Sequence, residues 1–229
     1  MGNENGLKGK LLYGFGDSLV DGHWNGIGML HYMAQKNGMI YHNYAINGAT
    51  VLPCEPHKID RMEKTVIDIA EQVRQAPDEP CDFICFDGLT NDAYDETLTK
   101  NGTISDCYEG DYDTSTFCGA FEMICYELRR KYQNSNILYI CPHKMPTRSF
   151  QAQEALQKCA RSICEKWSIP YVDMYRRGQI NTCMDGMRRD FSYNTMDKMT
   201  DGNGTHLNEE GYRLWYAPVI ETALLKVCR

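Results

Sequence analysis

Short apolar runs alternate along the chain with amphipathic segments, a pattern typical of βαβ units. Five runs are predicted to be strands buried on both faces, because each is short and is followed by turn-forming residues. They lie at Lys10–Phe15, Ile40–Ile46, Asp82–Phe86, Ile137–Cys141 and Pro170–Met174. Strands that alternate with helices build a parallel sheet covered on both faces, so the pattern predicts a single α/β domain over residues 1–229.

Apolar residues recur every three or four positions between these strands, which predicts helices with one buried face. The three stripes are Met62, Val66, Ile69 and Val73; Phe117, Phe121, Ile124 and Leu128; and Leu156, Cys159, Ile163 and Trp167. A last helix is predicted to begin near Asn208 and to kink or break at Pro218, which has no backbone N–H. Segments 91–116 and 182–203 have no such period and are predicted to be irregular. The first is a candidate substrate loop.

The charge balance narrows the range of partners. The chain has a formal net charge of -7 and no run of Lys or Arg, whereas nucleic acids and anionic membranes bind basic surfaces. No stretch reaches the roughly 18 apolar residues that cross a bilayer, and residues 1–10 do not resemble a signal peptide. We therefore expect a cytoplasmic chain whose partner is a small molecule. The pattern does not define an oligomeric state.

The eleven cysteines are odd in number, are scattered along the chain and form no CxxC pair. Cys85, Cys125, Cys141 and Cys159 fall within apolar runs, where a thiol behaves as a small hydrophobic group. We predict that the cysteines are reduced and mostly buried, since disulfide frameworks belong mainly to secreted chains. The sequence also has no HExxH motif, so neither a metal nor another cofactor is expected.

Polar motifs follow the first three predicted strands, at the edge where an open parallel sheet presents its ligand crevice. GFGDSLVDG, residues 14–22, puts Ser18 at the start of the segment after the first strand. NYAINGAT, residues 43–50, contains Gly48, whose backbone N–H can come close to a ligand. DGLTNDAYD, residues 87–95, contains Asn91 with its side-chain amide. One hydroxyl and several N–H donors are thus predicted to face one crevice.

A serine hydroxyl is a poor nucleophile unless a base, usually histidine, lies within hydrogen-bond reach and is held by a third polar group. Of the six histidines, His143 follows the fourth strand and could line the crevice. His206 is the stronger candidate, because it lies in the glycine-containing loop DGNGTH just before the last helix. Asp201 and Asn203 are close to it in sequence and could orient its ring.

Four motifs together, GDSLVDG, NYAINGAT, LTND and GTHLNEEGY, resemble the successive sequence blocks of the GDSL, or SGNH, hydrolases over residues 14–211. The resemblance implies a flavodoxin-like three-layer α/β/α sandwich with a five-stranded parallel sheet in the order 2-1-3-4-5. It also implies a serine esterase in which Ser18 is the nucleophile and His206 the base. The oxyanion hole would comprise the Ser18 N–H, the Gly48 N–H and the Asn91 side chain. The polar loop at 91–116 favours small acyl esters, including O-acetyl esters of carbohydrates.

Two positions depart from the family pattern. Leu89 stands two residues before Asn91, where the family usually has glycine, which suggests a displaced loop. Asn203 stands three residues before His206, where the family has aspartate. Either Asp201 orients His206, which we favour, or Asn203 takes that role as asparagine does in cysteine proteases. The same departures support a second hypothesis, a degenerate member that binds an acylated sugar or lipid without turnover.

Overall fold

The computed structural model describes residues 6–23, 26–59, 63–193 and 202–228. The strands are β1 (Leu11–Phe15), β2 (Ile40–Asn43), β3 (His57–Lys58), β4 (Thr65–Val66), β5 (Phe83–Phe86), β6 (Asn136–Cys141) and β7 (Tyr171–Asp173). The helices are α1 (Ser18–Asp21), α2 (His31–Asn37), α3 (Ile69–Gln75), α4 (Asp95–Leu98), α5 (Phe117–Lys131), α6 (Phe150–Lys166), α7 (Met174–Arg177), α8 (Asp185–Phe191), α9 (Glu209–Gly211) and α10 (Ala217–Val227). A π-helical turn, Tyr212–Tyr216, connects α9 to α10.

Five of the strands form one sheet in the order β2-β1-β5-β6-β7, and all their pairings are parallel. Counted within the sheet alone, this is the order 2-1-3-4-5, so the predicted fold class and strand order are confirmed. The antiparallel pair β3 and β4 lies between the second and third sheet strands in the chain and was not predicted. The strand order reverses between β1 and β5, and crevices form at such switch points.

Helices cover both faces of the sheet, because successive strand residues point to opposite faces. Tyr13 and Phe15 of β1 pack with α3, α5 and α6 in one core. Leu12 of β1 packs with α1, α2, the π-helical turn and α10 in the other. The result is the expected three-layer sandwich, with the turns that follow β1 and β5 at the reversal point.

The second strand is shorter and less buried than predicted. It was predicted to reach Ile46, but β2 ends at Asn43 and the chain then turns toward the loop after β1. β2 is an edge strand, with a neighbouring strand on one side only, and its first residue, Ile40, is 54% exposed. The expectation of burial on both faces is therefore wrong for β2.

Two helix predictions also need correction. The stripe that was predicted to begin at Met62 is not one helix, because Val66 belongs to β4 and α3 begins only at Ile69, capped by Asp68; Met62 lies outside the described residues. The segment 182–203, predicted to be irregular, contains α8, none of whose residues is buried. An exposed helix has no apolar stripe, so periodicity could not reveal it.

The helices predicted from the other two stripes are present as α5 and α6. The chain changes helix type directly before α10, and Pro218 lies in the first turn of that helix, in agreement with the predicted break. Within the described ranges, no helix is both long and apolar enough to cross a membrane.

One pair of cysteines contradicts the prediction that all are reduced. The parallel packing of α5 and α6 brings Cys118 and Cys159 to a Cα–Cα distance of 6.1 Å, and a disulfide joins them. The other nine cysteines are free thiols, and five of these are buried. Burial raises the pKa of Cys81 to about 11 and that of Cys85, Cys125 and Cys141 further, so these thiols stay protonated.

Candidate active site

Ser18 is the first residue of α1 and lies directly after β1, at the sheet edge where a crevice was predicted. The side chain of Asp17 caps this short helix by accepting the Leu19 N–H at 2.9 Å. Gly16 has a φ of +134°, and a Cβ atom there would lie 1.7 Å from Asp87 Oδ1. Only glycine therefore allows the tight turn that carries Ser18 into the crevice.

The imidazole of His206 meets this hydroxyl from the other end of the chain. Its Nε2 atom lies 2.8 Å from Ser18 Oγ, although the two residues are 188 positions apart in sequence. Ser18 is only 4% exposed and His206 8%, so their contact is nearly closed to water. The pair has the distance that proton transfer from a hydroxyl to an imidazole requires.

Asn203 occupies the other side of the His206 ring. Its Oδ1 accepts the backbone N–H groups of Thr205 at 2.9 Å and of His206 at 3.0 Å. These two donors fix the orientation of the amide, so Nδ2 faces His206 Nδ1 at 3.2 Å. Asp201, the residue that we favoured for this role, lies outside the described residues.

A buried histidine holds the loop that carries His206. His143 Nε2 donates to the carbonyl of Gly204 at 3.0 Å, and its Nδ1 accepts from the Tyr216 hydroxyl at 2.7 Å. Thr182 donates to the same carbonyl at 2.6 Å. Burial lowers the pKa of His143 to about 4, so its ring is neutral at physiological pH. His143 does not line the crevice as a reacting group; it fixes the backbone two residues before His206.

The predicted oxyanion donors lie in three loops that are tied to one another. Ile46 donates to the Gly16 carbonyl at 3.1 Å, and Asn91 Nδ2 donates to the Ala49 carbonyl at 2.9 Å. The second N–H of the Asn91 amide is left for another acceptor. Within the described ranges, neither the backbone N–H of Ser18 nor that of Gly48 donates to a backbone carbonyl. These unused donors are what an oxyanion hole needs.

Leu89 keeps the backbone conformation that glycine would adopt at this position. Its φ is +99°, a region that L-residues rarely occupy, and its side chain is completely buried. The Asn91 side chain still reaches the loop after β2, so the Leu89 substitution is absorbed as local strain. The side chain of the adjacent Asp92 accepts the N–H groups of Val51 and Leu52 at 2.9 and 3.0 Å and joins the same two loops.

Two carboxyl groups lie below the Ser18 turn. The backbone N–H of Asp17 donates to Asp87 Oδ1 at 2.9 Å, and both side chains are fully buried. Burial raises the pKa of Asp17 and of Asp87, and the charge of Asp17 raises that of Asp87 further. Both carboxyl groups therefore hold a proton more readily than an exposed aspartate does. Neither aspartate is among the site residues predicted from the sequence.

The electrostatic surroundings keep His206 in its basic form. Burial lowers the pKa of His206 well below its usual value, and the neighbouring His23, Arg148 and His143 lower it further. Arg148 is anchored near the crevice because its Nε donates to the Thr90 carbonyl at 2.6 Å, one residue before Asn91. A neutral imidazole can accept the proton of Ser18.

His23 contacts His206 but is not among the site residues predicted from the sequence. Its ring stacks on the His206 ring with centroids 3.6 Å apart and planes inclined by 7°. The position, five residues after Ser18, carries no sequence signal for such a stack. Among the residues that the structure describes, no group of three or more His, Cys, Asp or Glu side chains could hold a metal ion.

Comparisons with known proteins concern the family and the fold of this chain. The sequence model of the GDSL-like lipase/acylhydrolase family matches residues 12–219. Among solved structures, a protein from Lactobacillus plantarum is similar with a TM-score of 0.73 at 18% identity, covering 96% of this chain and 98% of that one. The lipase/acylhydrolase from Enterococcus faecalis is similar with a TM-score of 0.60 at 16% identity, covering 96% and 97%. At these identities the structural likeness concerns the fold alone. A comparison with curated protein sequences finds no match.

Proposed function

This chain belongs to the GDSL-like lipase/acylhydrolase family, and from that premise we propose that it hydrolyses carboxylic esters with Ser18 as the nucleophile. The observation that carries the proposal is the 2.8 Å contact between Ser18 Oγ and His206 Nε2. Family membership supports ester hydrolysis in general terms. The roles of the individual residues are our inference from their contacts.

The proposed reaction has two steps. In the first, Ser18 Oγ attacks the ester carbonyl while its proton passes to His206 Nε2, and the proton is then given to the departing alcohol. The N–H groups of Ser18, Gly48 and the Asn91 amide would stabilise the oxyanion that forms. In the second step, water attacks the acyl-serine, His206 takes its proton, and the free acid leaves as Ser18 recovers its hydrogen.

Asn203 is proposed to orient His206 through Nδ1. Its amide group, however, supports His206 as a base less well than a carboxylate would. A base at Nε2 requires the proton of the neutral ring to be on Nδ1, but the amide of Asn203 turns an N–H toward that atom. An amide also cannot offset the positive charge of the imidazolium. We therefore propose a slower esterase than one with aspartate at this position.

For the substrate, we propose small acyl groups, with O-acetyl esters of carbohydrates as the first class to test. The support is the rim next to Asn91, where Arg148 lies 4.9 Å above the ring of Tyr94, itself 44% exposed. Exposed aromatic and guanidinium groups suit a polar, hydroxyl-rich ligand better than a long alkyl chain. Acetylated sugars should be cleaved faster than esters of long-chain acids, and the opposite preference would remove this class.

The general activity is tested with a short-chain aryl ester and the Ser18→Ala variant. We expect release of the aryl alcohol by the unmodified protein and a loss of at least about 10³-fold in kcat for the variant. Ser162→Ala, on the outer helix α6, is the matched control and should retain full activity. Equal hydrolysis by Ser18→Ala with an unchanged circular dichroism spectrum would exclude Ser18 as the nucleophile.

A second candidate function is a binding protein that retains the fold without turnover. The specific observation that favours it is the donor that Asn203 presents to His206 Nδ1. Under this alternative, no ester would be hydrolysed and an aryl phosphonate would leave no adduct on Ser18. Acylated sugars would still bind, which calorimetry would detect.

A further inference from the structure

The stack of His23 on His206 is not accounted for by the general mechanism. The two rings are nearly parallel, at 7°, with their centroids 3.6 Å apart. The Nε2 atom of His23 is buried and has no hydrogen-bond partner among the described residues. Within the part of the chain that the structure describes, the contact with the face of His206 is therefore the feature that aligns the His23 ring.

The site has an electrostatic requirement that its other contacts among the described residues do not meet. When His206 takes the proton of Ser18 it becomes a cation inside a buried site, where an uncompensated charge is costly. Asn203 turns an N–H toward the ring, and His23, Arg148 and His143 are the described groups whose charges act on it. None of these four can supply a negative charge. The π face of a neutral aromatic ring is the group in contact that attracts a cation.

We propose that His23 is a positioning residue for the proposed esterase reaction, whose neutral ring stabilises the His206 imidazolium by stacking and holds it against Ser18. The inference rests on the proposed function. It assigns to a stacked imidazole part of the task that a carboxylate performs in a Ser-His-Asp site.

This role requires His23 to be neutral, which fixes the direction of a pH effect. Burial lowers the pKa of His23, and burial together with His23, Arg148 and His143 lowers that of His206. His23 is only half-buried whereas His206 is buried, so we expect His23 to be the first of the two rings to gain a proton as the pH falls. A cation on His23 would face the ring that must become a cation itself, so turnover should be lost with that first protonation.

The test compares His23→Phe with His23→Leu, measured with the same aryl ester. Both side chains fill the space beside His206, but only phenylalanine offers a π face and neither titrates. We expect kcat to fall about tenfold in His23→Leu and to stay within about threefold of the unmodified protein in His23→Phe. Both variants should keep activity to a lower pH, because the acid limb of kcat/KM would then report His206 alone.

The same two His23 variants are also compared in a protein that carries Asn203→Asp. This second comparison tests whether the effect of His23 depends on the charge of the His206 imidazolium. With Asn203→Asp, a carboxylate takes over the compensation, so His23→Leu should then cost less than about threefold. If His23→Leu matches His23→Phe in kcat, or if the acid limb of kcat/KM stays in place in both variants, the inference about His23 is overturned. The proposed function would still stand in that case, provided that the unmodified protein hydrolyses the ester. If the unmodified protein hydrolyses no ester and takes up no aryl phosphonate, both fall.

Discussion

Asn203 presents its amide nitrogen, not its oxygen, to Nδ1 of His206, at 3.2 Å. The oxygen is committed to the backbone N–H groups of Thr205 and His206. A carboxylate in the same place could keep both backbone bonds with one oxygen and accept the Nδ1 proton with the other. The loop is therefore already shaped for an aspartate.

Replacing Asn203 with aspartate should accordingly raise activity. We expect Asn203→Asp to increase kcat by at least about tenfold, because an adjacent anion favours the correct tautomer and the imidazolium. The same anion raises the pKa of His206, so the acid limb of kcat/KM should move to higher pH. Asp201→Asn is the companion variant and should have little effect. A large loss in Asp201→Asn, with no gain in Asn203→Asp, would transfer the orienting role to Asp201.

The positive φ of Leu89 predicts an inverted order of stability for two variants. Leu89→Ala and Leu89→Gly both remove the buried side chain and should each cost about 2–5 kcal/mol. Glycine normally destabilises relative to alanine, but at a φ of +99° it should be the more stable variant by about 1 kcal/mol. Urea unfolding measures the difference. If alanine is the better residue, Leu89 carries no backbone strain.

The Tyr216 hydroxyl should matter for stability and for catalysis, because it bonds both the backbone N–H and Nδ1 of His143. Tyr216→Phe should cost about 1–3 kcal/mol in unfolding free energy and should lower kcat by loosening the Gly204 carbonyl. Tyr212→Phe is the matched control, since that hydroxyl is buried in the same helical turn without a hydrogen bond of standard geometry to the described residues. Equal losses in both variants would contradict the assignment.

Asp92 predicts a pH-dependent contribution to stability. Burial raises the pKa of Asp92 to about 7 in the folded state, whereas in the unfolded chain it is about 3.9. The folded state thus retains a proton that the unfolded state releases, so this contribution is greatest below about pH 4 and is lost as the pH rises to 7. The unfolding free energy of the unmodified protein, relative to Asp92→Asn, should fall by roughly 2–4 kcal/mol over that range.

The control for this measurement is Asp106→Asn, the same substitution at an exposed position. The comparison between variants is needed because other buried groups also make stability depend on pH. Burial raises the pKa of Asp17 and of Asp87, as it does that of Asp92, whereas it lowers the pKa of His206, which has the opposite effect on stability as the pH rises. A difference between the unmodified protein and Asp92→Asn that does not change with pH would show that Asp92 does not titrate in this range.

The order of the motifs along the chain was enough to predict the fold and the meeting of Ser18 and His206 in one crevice. This is because the carboxyl ends of parallel strands lie at one edge of the sheet. It could not indicate how the side chains orient within that crevice. The amide of Asn203 is fixed by two backbone donors in its own turn, and His23 is aligned by ring stacking. The first depends on the local geometry of a turn and the second on packing between distant loops, and neither leaves a periodic signal in the sequence. The disulfide of Cys118 was missed for the same reason.

The central claim, that His206 activates the Ser18 hydroxyl, is tested most directly by the rate at which an aryl phosphonate modifies the protein. Mass spectrometry of the digested protein should find one adduct, on the peptide that contains Ser18. His206→Ala should slow its formation at least about 10²-fold, and His57→Ala, at an exposed position in β3, should leave the rate unchanged. An adduct on another residue, or an equal rate in His206→Ala, would contradict the account.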